Sequence, residues 1–169
     1  MILNIEKFPE DVLRKKSIEV TNIDDSVIKL LNDMVDTMQM APGVGLAAPQ
    51  VGASIRLVVA NLSPAKEKQL LYKFINPVVY DAEGEEMGEE GCLSIPGEYA
   101  FVKRAKKVLV KALNTSGEEF SLELEDLPAR IVLHEIDHLD GILFIDRLPI
   151  AKKEIVKKHI RKRMLAGEY

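Results

Sequence analysis

The spacing of hydrophobic residues changes along the chain, and each change marks an element. Val27, Leu31, Met34 and Met38 recur at helical spacing, which predicts an amphipathic helix with one face on the core. Asp24 or Asp25 can cap its start, and it ends near Met40, before Pro42. Residues 9–16 read as a short helical turn opened by Pro9. The middle of the chain follows another rule. Ile55–Ala60, Leu70–Val79 and Lys107–Leu113 are rich in Val, Ile, Leu and Tyr, and Phe120–Leu124 alternates; all four are expected strands. Asn114–Gly117 is a turn between the last two. Segment 81–90 carries six acids and no base, and is expected to be a solvated loop. Helical character returns at Leu127, with Asp126 as cap, Pro128 in the first turn and Gly141 as a left-handed C-cap. A last helix, Lys152–Leu165, sets Val156, Ile160 and Met164 on one stripe. The pattern is that of an α+β fold: mixed or antiparallel sheets packed around one central helix, with helices at the N- and C-terminal ends.

At 169 residues there is length for one ordinary domain. No repeat, low-complexity tract or long linker divides the chain. Residues 151–169 hold seven Lys/Arg against two Glu, a local charge of +5, which leaves −9 on the other 150 residues of a chain whose total is −4. Bulk charge therefore argues against DNA as a partner of the main body. No apolar run approaches the roughly 20 residues that span a bilayer, so no membrane partner is expected. Met1–Lys7 has neither a basic region nor a long apolar one, and there is one cysteine, so no internal disulfide. A cytoplasmic location is the expectation.

The strongest chemical pattern is His134-Glu135-Ile136-Asp137-His138, on the helix that starts at Leu127. Residues four apart on a helix share a face, with Cβ atoms about 5–6 Å apart, so two imidazoles can reach one ion. The glutamate after the first histidine is placed to take a proton from water activated there. Two solvated surface histidines are the bland alternative. Apolar flanks on both sides (Ile131–Leu133 and Leu139–Phe144) count against it, because burying these groups without partners is costly. A catalytic metal site needs a third protein ligand. Position 144, where a third histidine would fall in one large peptidase group, is Phe, and the remaining soft donor is Cys92, within Glu90–Gly97. A lone cysteine is more often an inert small hydrophobe; here Gly91 and the Ile95-Pro96-Gly97 turn shape the backbone around it. Thiolate with two imidazoles suits Fe(II) as well as Zn(II). A third segment, Gly43–Gln50, is rich in small residues. It lacks the Gly-Lys-Ser/Thr ending of a phosphate loop. It is either a tight turn or a backbone that approaches a ligand, with Gln50 as an amide donor to a developing oxyanion.

Taken together, Gly43–Gln50, Glu90–Ser94 and His134–His138 resemble the three signature motifs of the peptide deformylases, in the family's order, and the resemblance runs from about residue 3 to about residue 149. Phe8-Pro9, Leu13-Arg14, Asn76-Pro77 and Leu139-Asp140-Gly141 are also family-like. The resemblance implies metal-dependent hydrolysis of the N-formyl group from the initiator methionine of nascent polypeptides, with release of formate. By position it makes Cys92, His134 and His138 the metal ligands and Glu135 the general acid/base. Gln50 and the Leu93 N–H become the oxyanion donors. Val44, Gly45, Glu90 and Gly91 become the substrate-binding segment, whose backbone pairs with an extended peptide. The implied cofactor is one divalent ion, Fe(II) foremost, with Zn(II), Ni(II) or Co(II) as alternatives. Residues 1–150 are then the catalytic domain, and 151–169 a basic helix belonging to it or appended to it. Such a helix could dock on ribosomal RNA; a solvated helix face is the plain alternative. Two positions depart from the pattern: Leu133 stands where Gln is common, and Val44 where Ile is also common. A general HExxH peptidase and a structural metal site are the competing readings.

Overall fold

The computed structural model describes residues 1–169. Helix α1 (Asp25–Met40) begins where Asp24 accepts a hydrogen bond from the Val27 N–H at 3.1 Å, satisfying one of the orphan donors of the first turn. Val27, Leu31, Met34 and Met38 are all buried, as their spacing predicts. Strand β1 (Gly45–Ala47) follows, then a 3-10 turn (Ala48–Val51), β2 (Leu57–Asn61), β3 (Leu71–Glu83), β4 (Glu86–Cys92), β5 (Ile95–Arg104), β6 (Lys107–Leu113) and β7 (Glu119–Glu125). Five strands form one sheet in the order β1-β2-β3-β6-β7, and β4 and β5 form a separate two-stranded sheet. Every strand pair is antiparallel; Ile18 and Ile55 add one isolated parallel bridge.

Strand β2 explains how the sheet is covered. All five of its residues are buried, and they alternate between two cores. Leu57 and Val59 pack with Leu31 and Met34 of α1, while Val58 and Ala60 pack with Val132 and Ile136 of helix α2 (Leu127–Leu139). A strand covered on both faces reads as a continuous apolar run. The central helix is thus held against the sheet, and Arg56 donates to the Leu139 carbonyl at 3.1 Å and to Asp140 at 3.0 Å, capping its last turn. Gly141 follows at φ 74°. A third core joins Ile95 and Val102 of β5 to Leu143, Phe144, Val156 and Ile160, the last two from helix α3 (Ile150–Leu165).

Four local expectations need correction. Segment 81–90 is not a loop: β3 runs to Glu83 and β4 starts at Glu86 around a turn at Gly84, φ 71°. All of its acids but the buried Glu90 are solvent-exposed, and the backbones are paired, with Glu83 opposite Lys107 and Met87 opposite Lys103. Cross-strand lysines offset the repulsion that acid-rich composition suggests. Ile95-Pro96-Gly97, expected as a turn, opens strand β5 instead, and the turn falls at Leu93–Ser94. Asp126 occupies the α2 N-cap position, yet at φ 60° its side chain makes no capping bond. Met164 is 45% exposed, so the α3 stripe narrows to Val156 and Ile160. No helix is long and apolar enough to cross a membrane.

Candidate active site

Helix α2 presents His134, Glu135 and His138 toward the β4–β5 turn, and all three are buried. Cys92 ends β4. One ligand atom each from Cys92, His134 and His138 lie within 4.8 Å of one another, and Cys92 Sγ is 3.3 Å from His138 Nε2. Two buried polar atoms here, Glu135 Oε1 and His138 Nδ1, have no hydrogen-bond partner, a costly state in a dry interior. The soft S/N/N donor set, closed to this spacing, fits a divalent transition-metal ion.

The surroundings favour positive charge at this point. Burial lowers the basicity of His134, but Glu135, Cys92 and Glu90 outweigh it and raise the imidazole well above its ordinary value. Burial and the neighbouring His134 hold His138 well below it. A bound cation would answer the same negative field. Burial pushes the Glu135 carboxyl up to about 7, against the pull of His134, which suits a group that must both take and give a proton near neutrality.

Glu135 lies against β1. A Cβ on Gly45 would stand 2.5 Å from Glu135 Oε2, so the carboxylate reaches its place because residue 45 has no side chain. Gln50 is held in the 3-10 turn after β1: its Oε1 accepts from the Ala47 N–H at 2.9 Å, and its Nε2 donates to Ser94 Oγ at 3.1 Å and toward Cys92 Sγ at 3.5 Å. The Ser94 N–H also points at the sulfur, at 3.4 Å. Val44, Gly45, Gln50, Glu90, Gly91, Cys92, Leu93, His134 and Glu135 all line one cleft of about 430 Å³. The structure therefore brings together every sequence-predicted site residue: His138 does not line the cleft but is buried beside Cys92, which does. A larger groove, about 830 Å³, runs between α1 and β3/β7; it holds none of these groups.

Glu90 lines the cleft, but its carboxylate is engaged by the residues behind it. Its Oε1 accepts from His134 Nδ1 at 2.8 Å and from Arg104 Nη2 at 2.9 Å, and its Oε2 from Arg104 Nε at 2.9 Å and Arg130 Nη1 at 2.7 Å. Burial acts to raise its carboxyl, yet Arg104 and His134 outweigh this and hold it well below the usual carboxylate range. Both oxygens are thus committed behind the cleft, and Glu90 orients His134 so that Nε2 is the nitrogen left for a ligand. Arg104 also bonds Asp137 at 2.5 Å, and Asp137 in turn pairs with Arg147 at 2.8 Å. Arg104, Arg130 and Arg147 were not singled out by sequence reasoning. The available signal was that two acids destined for burial, Glu90 and Asp137, require cationic partners, and arginine is the residue whose fork serves carboxylates two at a time.

Comparison with known proteins agrees with this geometry. The sequence model of the family described as polypeptide deformylase matches residues 2–154. A peptide deformylase from Thermodesulfovibrio yellowstonii is 46% identical over 160 residues, covering 95% of this chain and 97% of its own. One from Acidobacterium capsulatum is 44% identical over 169 residues, 100% and 99% of the two chains. Among solved structures, a peptide deformylase from Legionella pneumophila superimposes with a TM-score of 0.90 at 42% identity, covering 100% of this chain and 99% of that one. The Ehrlichia chaffeensis peptide deformylase in complex with actinonin gives a TM-score of 0.90 at 34% identity, covering 96% and 97%. By motif, fold and matched length, the chain belongs to the polypeptide deformylase family.

Proposed function

We propose that this enzyme removes the N-formyl group from formyl-methionyl peptides by metal-dependent hydrolysis, acting on nascent chains in the cytoplasm. The observation that carries the reading is the convergence of Cys92, His134 and His138 within 4.8 Å at one end of a cleft that Glu135 and Gln50 line. Cys92 Sγ and the two imidazoles would hold one divalent ion, with Fe(II) favoured over Zn(II), Ni(II) or Co(II). Such an ion, when bound, supplies Lewis acidity that lowers the pKa of water and polarises a carbonyl. Glu135, desolvated and close to neutral pKa, takes the proton from the attacking water and delivers it to the leaving amine. Gln50 Nε2 and the Leu93 N–H donate to the formyl oxygen as charge develops on it. Val44, Gly45 and Gly91 offer backbone to an extended peptide, as a strand added at an edge. Glu90 acts from behind, by fixing the His134 tautomer. Residues 1–150 carry this chemistry, and 151–169 complete the same domain.

The test compares formyl-Met-Ala-Ser with unformylated Met-Ala-Ser. Stoichiometric formate and free Met-Ala-Ser from the first, with no reaction of the second, is the expected outcome. Internal peptide-bond cleavage without formate would replace this reading with that of a general peptidase.

A docking role for α3 is a second reading. Three exposed bases, Lys152, Lys158 and Arg161, form a patch on this helix that suits the phosphate backbone of ribosomal RNA. Co-sedimentation with ribosomes should weaken when these three are replaced by Gln and when salt rises. Insensitivity to both would remove the reading.

A further inference from the structure

Two bases of the C-terminal segment turn inward instead. Lys153 pairs with Asp146 at 2.9 Å. Arg163 reaches past α3 to the first residues of β5, which form one lip of the cleft. Its Nη2 stands 3.2 Å from Glu98 Oε2, and its Cζ would lie 3.2 Å from a Cβ on Gly97, where φ is 81°. The Tyr169 ring covers its other side, with the guanidinium carbon 5.7 Å from the ring centre. Two of its nitrogens, Nε and Nη2, are buried with no aligned hydrogen bond. Glu98 is therefore the anion that keeps this cation from being stranded, and the pairing holds Glu98 in turn. His159, one turn earlier on α3, takes the other carboxylate oxygen at 3.1 Å. Tyr169 reaches further, donating its hydroxyl to the Ser94 carbonyl at 3.3 Å.

We infer that Arg163, clamped between Gly97, Glu98 and Tyr169, is a positioning residue for the cleft lip at Pro96–Tyr99 and sets the affinity for substrate. This rests on the hydrolytic reading of the cleft. Only a glycine at 97 admits the guanidinium so close to the backbone, and only an arginine at 163 fills the space and pairs with Glu98 together. The lip lines the cleft but supplies none of the groups assigned to the reacting atoms, so its disorder would remove binding shared by ground and transition states. That raises KM and leaves kcat alone.

The experiment uses the metal-loaded full chain in four forms: wild type, Arg163→Met, Arg163→Lys and Lys162→Met. Steady-state formate release and amide hydrogen exchange of residues 94–99 are measured on each. Arg163→Met should raise KM about fivefold with kcat within about twofold, and should speed exchange in the lip. Arg163→Lys, which keeps the charge, should recover part of both effects and carries the test if the Met variant does not fold. Lys162→Met, which removes an exposed neighbouring charge, should match wild type. Unchanged KM and exchange in Arg163→Met overturn the inference. So does an equal KM rise in Lys162→Met, which would make the effect one of bulk charge. Wild-type protein that releases no formate would instead sink the hydrolytic reading, leaving exchange to judge the clamp.

Discussion

Glu135 and Gly45 show how much of the site depends on single atoms. Desolvation raises the glutamate's carboxyl to about 7, and the missing side chain at 45 lets that carboxylate lie against β1. Adding one methyl group there, in Gly45→Ala, puts a Cβ 2.5 Å from Glu135 Oε2. The carboxylate must then move by roughly 1 Å, a displacement that can cost about 10²-fold in turnover. Formate-release kinetics on the variant should show that loss in kcat, with metal content and melting temperature close to wild type. A variant with full kcat would mean that the position of Glu135 is unimportant. Glu90 works at the same scale by a different device. It touches no substrate in this account; it gathers Arg104, Arg130 and His134 around one carboxylate, and the whole arrangement is buried.

At the level of elements, Asp146 ties three pieces together. It accepts from the Leu143 N–H at 2.9 Å, pairs with Arg14 of the 3-10 turn Asp11–Arg14 at 2.5 Å, and with Lys153 of α3 at 2.9 Å. Burial acts to raise its carboxyl, but Arg14, the Leu143 N–H and Lys153 outweigh it and lower it from 3.8 to about 2. A carboxyl depressed on folding contributes stability that is present above its unfolded value and is lost as pH falls through the folded one. The contribution should therefore be complete above pH 4 and fade between about pH 4 and 2. After allowance for solvent screening it is about 1 kcal/mol, or about 2–4 °C in melting temperature. Melting curves across that range should show wild type above Asp146→Asn at pH 6 and the two converging near pH 2. A constant gap would show that the ion pairs contribute nothing.

For the molecule as a whole, the sequence carried the helices and the chemistry better than it carried the small sheet. The α1 stripe and the β6 bounds were legible because one face of each is buried and the period survives in the residues. The β4–β5 sheet was not: β4 is mostly Gly and acids, and β5 opens on Pro96-Gly97, which hid the apolar run Tyr99–Val102 behind them. The cluster of Cys92, His134 and His138 was legible through helix spacing and motif, whereas Arg104 and Arg130 come to Glu90 from elements 14 and 40 residues away in sequence. No local pattern encodes that meeting. The apolar stripe of the C-terminal helix was legible in Val156 and Ile160, whereas the inward turn of Arg163 to Glu98 was hidden among its bases.

The central claim is that Glu135 moves the proton beside an ion held by Cys92, His134 and His138. Its most direct test is formate release by Glu135→Gln, measured with metal analysis on the same preparation. The account predicts one ion per chain in both proteins and a fall in kcat of about 10²–10⁴-fold in the variant. Full activity in a variant that keeps its metal would contradict it.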